Sequence, residues 1–363
     1  MTHPLTQRRV LVVGASFGEW YLNAFMQPAA HLVLAGLMTQ GSQRSRQLAH
    51  DFGIPLYTDI DALPDDIDIA CIAVSSTIAG GAGTRLAKAF LSRGIHVVQE
   101  HPVHPHDIRA LQQLADQHHC CYWVNSLYAH APAGRCWIAD ARRISERRGP
   151  ARFITLTTSR QLLYSTLDML LLAQAIPADA LDVTLVDEAP CFHLLRYRWP
   201  SGTATLWLQR YQDPQRPDLH SLVMHHHLLG WPEGYLTLNA SFGPVIWSST
   251  LYVADPHDTS TSLYRRQEIM KESPALVRHP GPSQWRDGCE VEGPAAVAYL
   301  LTQLCQCLDG PALAERGTEA HHLRVAELWQ RTLHAVGPAE TQRLTEPRYD
   351  ELPQWTYALH EDE

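Results

Sequence analysis

The chain has 363 residues, of which 45% are hydrophobic and 18% charged, and its formal net charge is −9. This length allows a large core and more than one domain. The acidic balance argues against nucleic acid or an anionic membrane as the main partner. No segment approaches the roughly 20 apolar residues of a membrane span, and the N-terminal segment lacks a signal-peptide pattern. The sequence therefore predicts a soluble, cytoplasmic protein.

Residues 1–126 alternate short apolar runs with amphipathic helical patterns. The runs predicted as strands are RRVLVVGA, AHLVLAGLMT, IDIACIAVSS, IHVVQE and CCYWVNSLY. Apolar strands that alternate with helices are typical of βαβ units. We therefore expect an N-terminal Rossmann domain with a doubly wound parallel sheet.

Residues 127–345 show period-two strand patterns separated by Gly and Pro turns. The predicted strands are RFITLTTSR, CFHLLRYRW, ATLWLQRYQ, HSLVMHHHLLG, YLTLNASF and PVIWSSTLYV, with an apolar helix at 162–175 and later helices at 293–308 and 319–336. The segment 256–289 is turn-rich and carries weak signals of order. Such patterns predict a C-terminal α+β domain with an open, mostly antiparallel sheet, and 346–363 is expected to be a surface tail. The predicted fold class is α/β.

A glycine-containing turn follows the first strand, in the stretch VVGASFGEW. Glycine at this position lets the backbone approach a pyrophosphate, and the next helix N-terminus then faces the anion. The pattern is degenerate, because Ser16 replaces the usual second glycine and Gly18 comes one residue early. Its place at the first βα turn still favours dinucleotide binding over a simple tight turn. The expected contacts are Gly14, Ala15, Ser16, Phe17 and Gly18.

The end of the second strand indicates which nucleotide is bound. Positions 31–50 contain no acidic residue to receive a ribose 2′-hydroxyl. Thr39, Ser42 and Arg44 are available instead, and a guanidinium suits a 2′-phosphate. The sequence therefore predicts NADPH as the cofactor. Ser75 and Thr77 lie at the carboxyl end of the predicted strand IDIACIAVSS and are expected to line the same crevice, although Thr77 equally suits a helix N-cap.

The tripeptide Glu100-His101-Pro102 lies at the carboxyl end of a predicted strand, where such folds place their ligands. His101 is a candidate general acid, since a histidine titrates near neutral pH. Tyr128, at the predicted domain junction, is a rival proton donor or a packed hinge residue. Glu100 is expected on the cofactor side of the site.

The other histidines in these regions have simpler interpretations. His96 is expected in or beside the strand, His104 near a helix cap and His106 on the first helical turn. Their spacing does not suit a zinc site, so we predict no metal. The triplet at 225–227 is expected on a surface strand.

The stretch IADARRISERRGPARF carries Arg142, Arg143, Arg147 and Arg148 in a short amphipathic run. It is either a solvated helix face or a docking surface for an acidic or phosphate-bearing partner.

The layout resembles the glucose-fructose oxidoreductase and inositol dehydrogenase (Gfo/Idh/MocA) superfamily over nearly the whole chain. It combines a Rossmann domain, a strand-end tripeptide similar to Glu-Lys-Pro, the junction sequence NSLY and an open antiparallel sheet. In that family the tripeptide lysine assists proton transfer, and here its position is His101. A second family signature pairs an aspartate with a histidine four residues later. Here Asp168 is present, but Leu172 replaces the histidine.

These departures, with VVGASFGEWYLNAF, EHP and NSLYAH, resemble the thiazolinyl imide (imine) reductases of siderophore assembly, such as those for yersiniabactin and pyochelin. The resemblance implies NADPH-dependent reduction of a thiazoline to a thiazolidine. It also implies a substrate tethered by phosphopantetheine to the carrier domain of a nonribosomal peptide synthetase, and a homodimer. An imine reductase needs an acid that delivers a proton to nitrogen, a role that His101 or Tyr128 can fill.

Two other functions stay open at this point. One is a sugar or cyclitol dehydrogenase of the same superfamily, which the missing lysine and histidine disfavour. The other is a non-catalytic NADP-binding sensor, which would bind NADPH without turnover of any imine.

Overall fold

The computed structural model describes residues 5–27, 29–74, 81–177, 181–215, 221–251, 273–310, 318–343 and 345. Its strands form two large sheets and one two-stranded sheet. One large sheet is parallel and the other is mostly antiparallel. The α/β fold class predicted from the sequence is confirmed.

Six strands from the N-terminal part form the first sheet, in the order β3-β2-β1-β4-β5-β6, with every pairing parallel. The strands are β1 (Arg8–Val13), β2 (Leu32–Met38), β3 (Leu56–Tyr57), β4 (Ile69–Ile72), β5 (His96–Glu100) and β6 (Tyr122–Asn125). The helices between them are α1 (Gly18–Asn23, continued by a 3-10 turn at Ala24–Met26), α2 (Gln43–Asp51), α3 (Ala82–Leu91) and α4 (Pro105–Gln117). The central strands are buried throughout, as continuous apolar runs predict. The order reverses between β1 and β4, and this reversal opens a crevice at the carboxyl ends of the strands.

The second large sheet has eight strands in the order β15-β14-β13-β12-β7-β10-β9-β8. The strands are β7 (Phe153–Thr158), β8 (Asp182–Glu188), β9 (Phe192–Trp199), β10 (Gly202–Gln209), β12 (His225–Trp231), β13 (Gly234–Leu238), β14 (Val245–Ser249) and β15 (Ala275–His279). The pairing of β10 with β7 is parallel and the others are antiparallel. Two short strands, β11 (Tyr211–Gln212) and β16 (Glu340–Thr341), pair with each other.

Five helices accompany this sheet: α5 (Pro132–Arg148), α6 (Leu163–Leu172, preceded by a 3-10 turn at Arg160–Leu162), α7 (Trp285–Asp287, followed by a π-helical turn at Gly288–Glu292), α8 (Gly293–Leu308) and α9 (Thr318–Val336). Helix α8 packs against α1 of the N-terminal layer, and Asp309 at its end pairs with Arg8 at 3.0 Å. The C-terminal part thus returns to the first sheet. The predicted division of the chain at residue 126 stays a prediction.

Three expectations about the second sheet were wrong. Strand β8 has no counterpart among the predicted strands, because its acidic, mostly exposed sequence lacks an apolar run. Strand β15 lies within the segment predicted to be turn-rich, at the edge of the sheet and largely exposed. The strand of the histidine triplet, β12, lies inside the sheet, between β7 and β13. His225 and His227 are buried against Ser165 and Thr166 of α6, and His226 on the other face is half-buried.

Candidate active site at the junction of the two sheets

The glycine turn after β1 lies in the crevice and fits a dinucleotide. Gly14 has φ +103°, a conformation that favours glycine, and a Cβ there would lie 2.7 Å from the Ala73 carbonyl oxygen. Its backbone N–H donates to Met38 O at 2.9 Å, which fixes the turn between β1 and β2. Gly18 begins α1, so the helix starts directly beyond the turn. The bare backbone at this switch point leaves room for a pyrophosphate, and Ala15, Ser16 and Phe17 lie in the same turn.

The predicted nucleotide-selecting residues lie together after β2. Thr39 Oγ1 accepts a hydrogen bond from the Gly41 N–H at 3.1 Å, and Ser42 is the N-cap of α2. Arg44 is exposed and forms an ion pair with Glu19 in the first turn of α1. Glu19 is an acidic residue close to the predicted 2′-phosphate site, although it lies outside the segment 31–50, which contains the usual position of a ribose-binding acid. Ser75 and Thr77 lie outside the described residues.

Glu100 and His101 form a hydrogen-bonded pair at the carboxyl end of β5. The His101 Nδ1 lies 3.0 Å from Glu100 Oε1 and 3.0 Å from the Asn125 carbonyl oxygen. Both partners accept hydrogen bonds, so Nδ1 carries the proton and Nε2 is left for a ligand. Within the described part of the chain, Nε2 has no hydrogen-bond partner.

The second oxygen of Glu100 is held by two groups that the sequence analysis missed. Tyr21 OH donates to Oε2 at 2.5 Å, and Asn125 Nδ2 donates to it at 3.0 Å. Burial, together with the charge of Glu100, raises the pKa of Tyr21, which therefore keeps its proton and remains a donor. The carboxylate is thus fixed in place and in turn orients the imidazole of His101. The sequence gives little indication of the Tyr21 contact, because Tyr21 has the pattern of an ordinary buried residue of α1.

Tyr128 is buried against β12. Its ring centroid lies 4.8 Å from that of His225 and 5.6 Å from that of Phe242. Burial, and then the charge of Glu100, raises the pKa of Tyr128. A phenol with a raised pKa gives up its proton less readily, which weakens the case for Tyr128 as the acid.

His225 joins Tyr128 to the rest of the site. Its Nε2 and Nδ1 each lie 2.8 Å from a serine hydroxyl, those of Ser165 and Ser241. Burial lowers its pKa well below the ordinary value, so it is neutral at pH 7. Tyr164, on α6, stacks on His101 with ring centroids 5.2 Å apart. The second sheet and its helix therefore form one wall of the site around His101.

Asp168 has a histidine partner, although the sequence analysis expected none. His321, from α9, places Nε2 at 2.5 Å from Asp168 Oδ1, and Ser126 donates to Oδ2. The position four residues after Asp168 is Leu172, as the sequence shows, but a different helix supplies the imidazole. The expectation that this part of the site lacks a histidine was wrong. Residues 153 positions apart in sequence carry no local signal of their contact.

The remaining predicted features are arranged as follows. His96 begins β5, His104 is the N-cap of α4 and His106 is exposed on its first turn, as predicted. Arg142, Arg143, Arg147 and Arg148 are exposed on α5. Among the described residues, no group of three or more His, Cys, Asp or Glu side chains is arranged to hold a metal ion. Nor does that part of the chain contain a helix long and apolar enough to span a membrane.

Two family models match separate parts of the chain. Residues 8–126 match a family model described as an oxidoreductase family with an NAD-binding Rossmann fold. Residues 149–248 match the model of the C-terminal domain of Irp3-like thiazolinyl imine reductases. A search of curated protein sequences finds none that matches.

Similar solved structures include GenD2 from gentamicin A biosynthesis in complex with NAD, with a TM-score of 0.63 and 14% identity over 92% of this chain and 95% of that one. KijD10, a 3-ketoreductase from Actinomadura kijaniata in complex with NADP, has a TM-score of 0.63 and 15% identity over 91% of this chain and 98% of that one. The UDP-N-acetylglucosamine 3-dehydrogenase GnnA from Acidithiobacillus ferrooxidans gives the same four values. At such identities the likeness shows the fold alone. Together with the two family models, it places the chain in the Gfo/Idh/MocA oxidoreductase family, as an NAD(P)-dependent oxidoreductase with an Irp3-like thiazolinyl imine reductase domain.

Proposed function

We propose that the protein reduces the C=N bond of a thiazoline to a thiazolidine, on a carrier-tethered intermediate of nonribosomal siderophore synthesis, with NADPH as reductant. The match of residues 149–248 to the thiazolinyl imine reductase domain carries this proposal. That segment supplies Tyr164, Asp168 and His225, which lie around His101 and Tyr128. The family match that suggests the substrate therefore covers residues that line the site.

The residues of the site suit a proton-donating role. Bound NADPH would supply the hydride, so each thiazolidine formed consumes one NADPH and one proton. The proton goes to the ring nitrogen, and we propose that His101 donates it from Nε2. Because Nδ1 keeps its own proton toward Glu100, His101 must enter this step as an imidazolium and leave it as the neutral ring. Glu100 and the Asn125 carbonyl hold Nδ1 and thereby orient the ring. The raised pKa of Tyr128 makes it the second choice.

We further propose NADPH over NADH as the cofactor. The turn at Gly14 would hold the pyrophosphate, and Ser42 with Arg44 would hold the 2′-phosphate. Glu19 opposes this preference in part, because its carboxylate already pairs with Arg44. A 2′-phosphate would have to share or displace that carboxylate.

The proposed partner is the carrier domain of a nonribosomal peptide synthetase, which presents the substrate on a phosphopantetheine arm. The four exposed arginines of α5 form a basic surface on an otherwise acidic protein. Among the described residues, Arg148 is the only one of the four that forms an ion pair, with Glu233 at 3.7 Å. This surface suits an acidic carrier domain or its phosphate.

Substrate comparison tests the proposal. A synthetic thiazoline acid, its thioester mimic and a panel of polyols and keto sugars are incubated with NADPH or NADP⁺, and absorbance of NADPH is followed. We expect consumption of NADPH with the thiazolines, greater with the thioester, and formation of the thiazolidine. Turnover of a sugar or polyol without any thiazoline turnover would contradict the proposal and favour a sugar dehydrogenase. Binding of NADPH with no turnover of either class would favour a sensor.

A further inference from the structure

The buried carboxylate of Asp168 has more hydrogen bonding than a simple helix contact requires. Its two oxygens are shared between His321 and the Ser126 hydroxyl. Burial alone would raise the pKa of Asp168, but these hydrogen bonds and the neighbouring imidazoles outweigh it and lower the pKa to about 2. Asp168 is therefore an anion at neutral pH, in a place where an anion needs a donor or a cation beside it.

Two independent links place this pair beside His101. Glu100 and Asn125 are register partners on β5 and β6, and neighbouring strands lie roughly 4.8 Å apart. The residues that follow them, His101 and Ser126, thus leave the sheet side by side, and Ser126 bonds Asp168. In addition, Tyr164 stacks on His101 and lies four residues before Asp168 on α6, on the same face of the helix.

The histidines of this region divide into two kinds. Burial lowers the pKa of His130 to about 4 and that of His322 to about 3, so both are neutral at pH 7. His225 is likewise neutral. His101 and His321 differ from these three, since each hydrogen-bonds a carboxylate.

His321 also retains a nitrogen for a ligand. Its side chain is 21% exposed, whereas that of Asp168 is 9% exposed. Nε2 is engaged by Asp168, and Nδ1 has no hydrogen-bond partner in the described residues. The titratable groups close to the ring are Asp168 of α6, His130 after β6, and His322 beside it on α9.

We propose that His321, held by Asp168, is a second substrate-contacting residue of this site and that its Nδ1 hydrogen-bonds a polar group of the acyl chain next to the reducible ring. The assignment rests on the proposed function for the identity of that substrate. His101 delivers the proton, and His321 binds and orients. A pair that only tied α9 to α6 would leave substrate affinity unchanged.

The test compares His321→Gln and Asp168→Asn with the wild type. His334→Gln is the matched control, because it changes an exposed histidine on the same helix. KM and kcat for the thiazoline thioester mimic are measured from pH 5.5 to 9 at saturating NADPH, and NADPH affinity is measured by fluorescence. Loss of this hydrogen bond predicts that KM rises about tenfold in both site variants while kcat stays within about twofold. NADPH affinity should also stay within about twofold.

An unchanged KM in His321→Gln would overturn the proposal. The proposed function is tested separately, by turnover of thiazolines by the wild type. If a polyol proves to be the substrate, KM for that polyol is compared in the same variants by the same criteria. If neither class is turned over, NMR of the histidine rings in the NADPH complex tests the pairing. Asp168→Asn should then move the ring resonances of His321 more than those of the exposed His334, and unmoved His321 resonances would reject the pairing that the proposal requires.

Discussion

At the scale of single residues, the site depends on a histidine whose tautomer is fixed by its neighbours. Glu100 and the Asn125 carbonyl both accept from the same nitrogen of His101, while Tyr21 and Asn125 hold the carboxylate from the other side. The sequence shows that Glu100 and His101 are adjacent, and hence that they can meet. It does not show that Tyr21, which lies 79 positions from Glu100, also contacts this carboxylate.

The roles of His101 and Tyr128 can be separated by substitution. His101→Gln should lower kcat about 10²–10⁴-fold, the usual contribution of a general acid, with NADPH affinity within a few-fold of wild type. Tyr128→Phe should lower kcat less than about tenfold, because the raised pKa of its phenol makes it a poor donor. Single-turnover rates at saturating NADPH measure both. The reverse order of effects would assign the acid to Tyr128.

Arg44 and Glu19 should change the preference for NADPH over NADH in opposite directions. Arg44→Ala should reduce the ratio of kcat/KM for NADPH over that for NADH about tenfold, since a charged hydrogen bond to the 2′-phosphate is lost. Glu19→Gln should raise the same ratio, because it frees Arg44 from its ion pair. Ratios that are unaltered in both variants would place the 2′-phosphate elsewhere.

Local pattern explains which residues of the site could be predicted. The role of Gly14 is predictable because a strand, a turn and a helix follow one another within a few residues. The family pattern predicts the histidine partner of Asp168 four residues later on the same helix, where this chain has Leu172. His321 reaches it from α9, across a contact set by the packing of two helices distant in sequence.

At the scale of elements, the predicted parallel strands proved accurate because each is a buried apolar run next to an amphipathic helix. The second sheet was harder to predict. Its edge strands β8 and β15 are largely exposed, and neither contains a fully buried residue. His225 and His227 are buried because they lie on the face of β12 that packs against α5 and α6, where they contact Trp137, Ser165 and Thr166.

One face of the second sheet carries exposed apolar side chains. Phe153, Tyr235 and Val277 are 48%, 39% and 55% exposed. The strand registers place them on the same side, because Phe153 is opposite Gly230, and Gly230 is opposite Tyr235. We propose that this face forms the interface of a homodimer.

Charge on that face tests the dimer. The double variant Phe153→Asp/Val277→Asp should be monomeric by light scattering, because unpaired carboxylates cannot be buried in an apolar interface. Met26→Asp changes a side chain that is 70% exposed in the N-terminal layer and should leave the dimer intact. A monomeric wild type, or a dimer that survives the double variant, would reject this interface.

At the scale of the whole molecule, the buried histidines predict loss of stability in acid. Burial lowers the pKa of His227 and His322 from 6.5 to about 3, and that of His130 to about 4. The unfolded chain therefore binds protons below about pH 6.5 that the folded chain does not bind. Stability falls as pH decreases through this range, by about 1.4 kcal/mol per pH unit for each such proton.

Asp168 adds to this loss at lower pH. Its folded pKa of about 2 lies below the ordinary 3.8, so its contribution is complete above 3.8 and disappears as pH falls toward 2. Thermal unfolding followed from pH 7 to pH 4 should show the melting temperature decreasing steadily below pH 6.5. A melting temperature that is constant between pH 6.5 and pH 4.5 would contradict the neutral state of these histidines.

The central claim is that hydride from NADPH reaches the carbon of a thiazoline C=N bond beside His101. The most direct measurement uses NADPH deuterated at its transferable position, with the thiazoline thioester mimic as substrate and NMR of the product. We expect a thiazolidine with one deuterium on the former C=N carbon, and we expect His101→Gln to form it far more slowly. A thiazolidine without deuterium, or deuterium transferred only to a keto sugar, would contradict it.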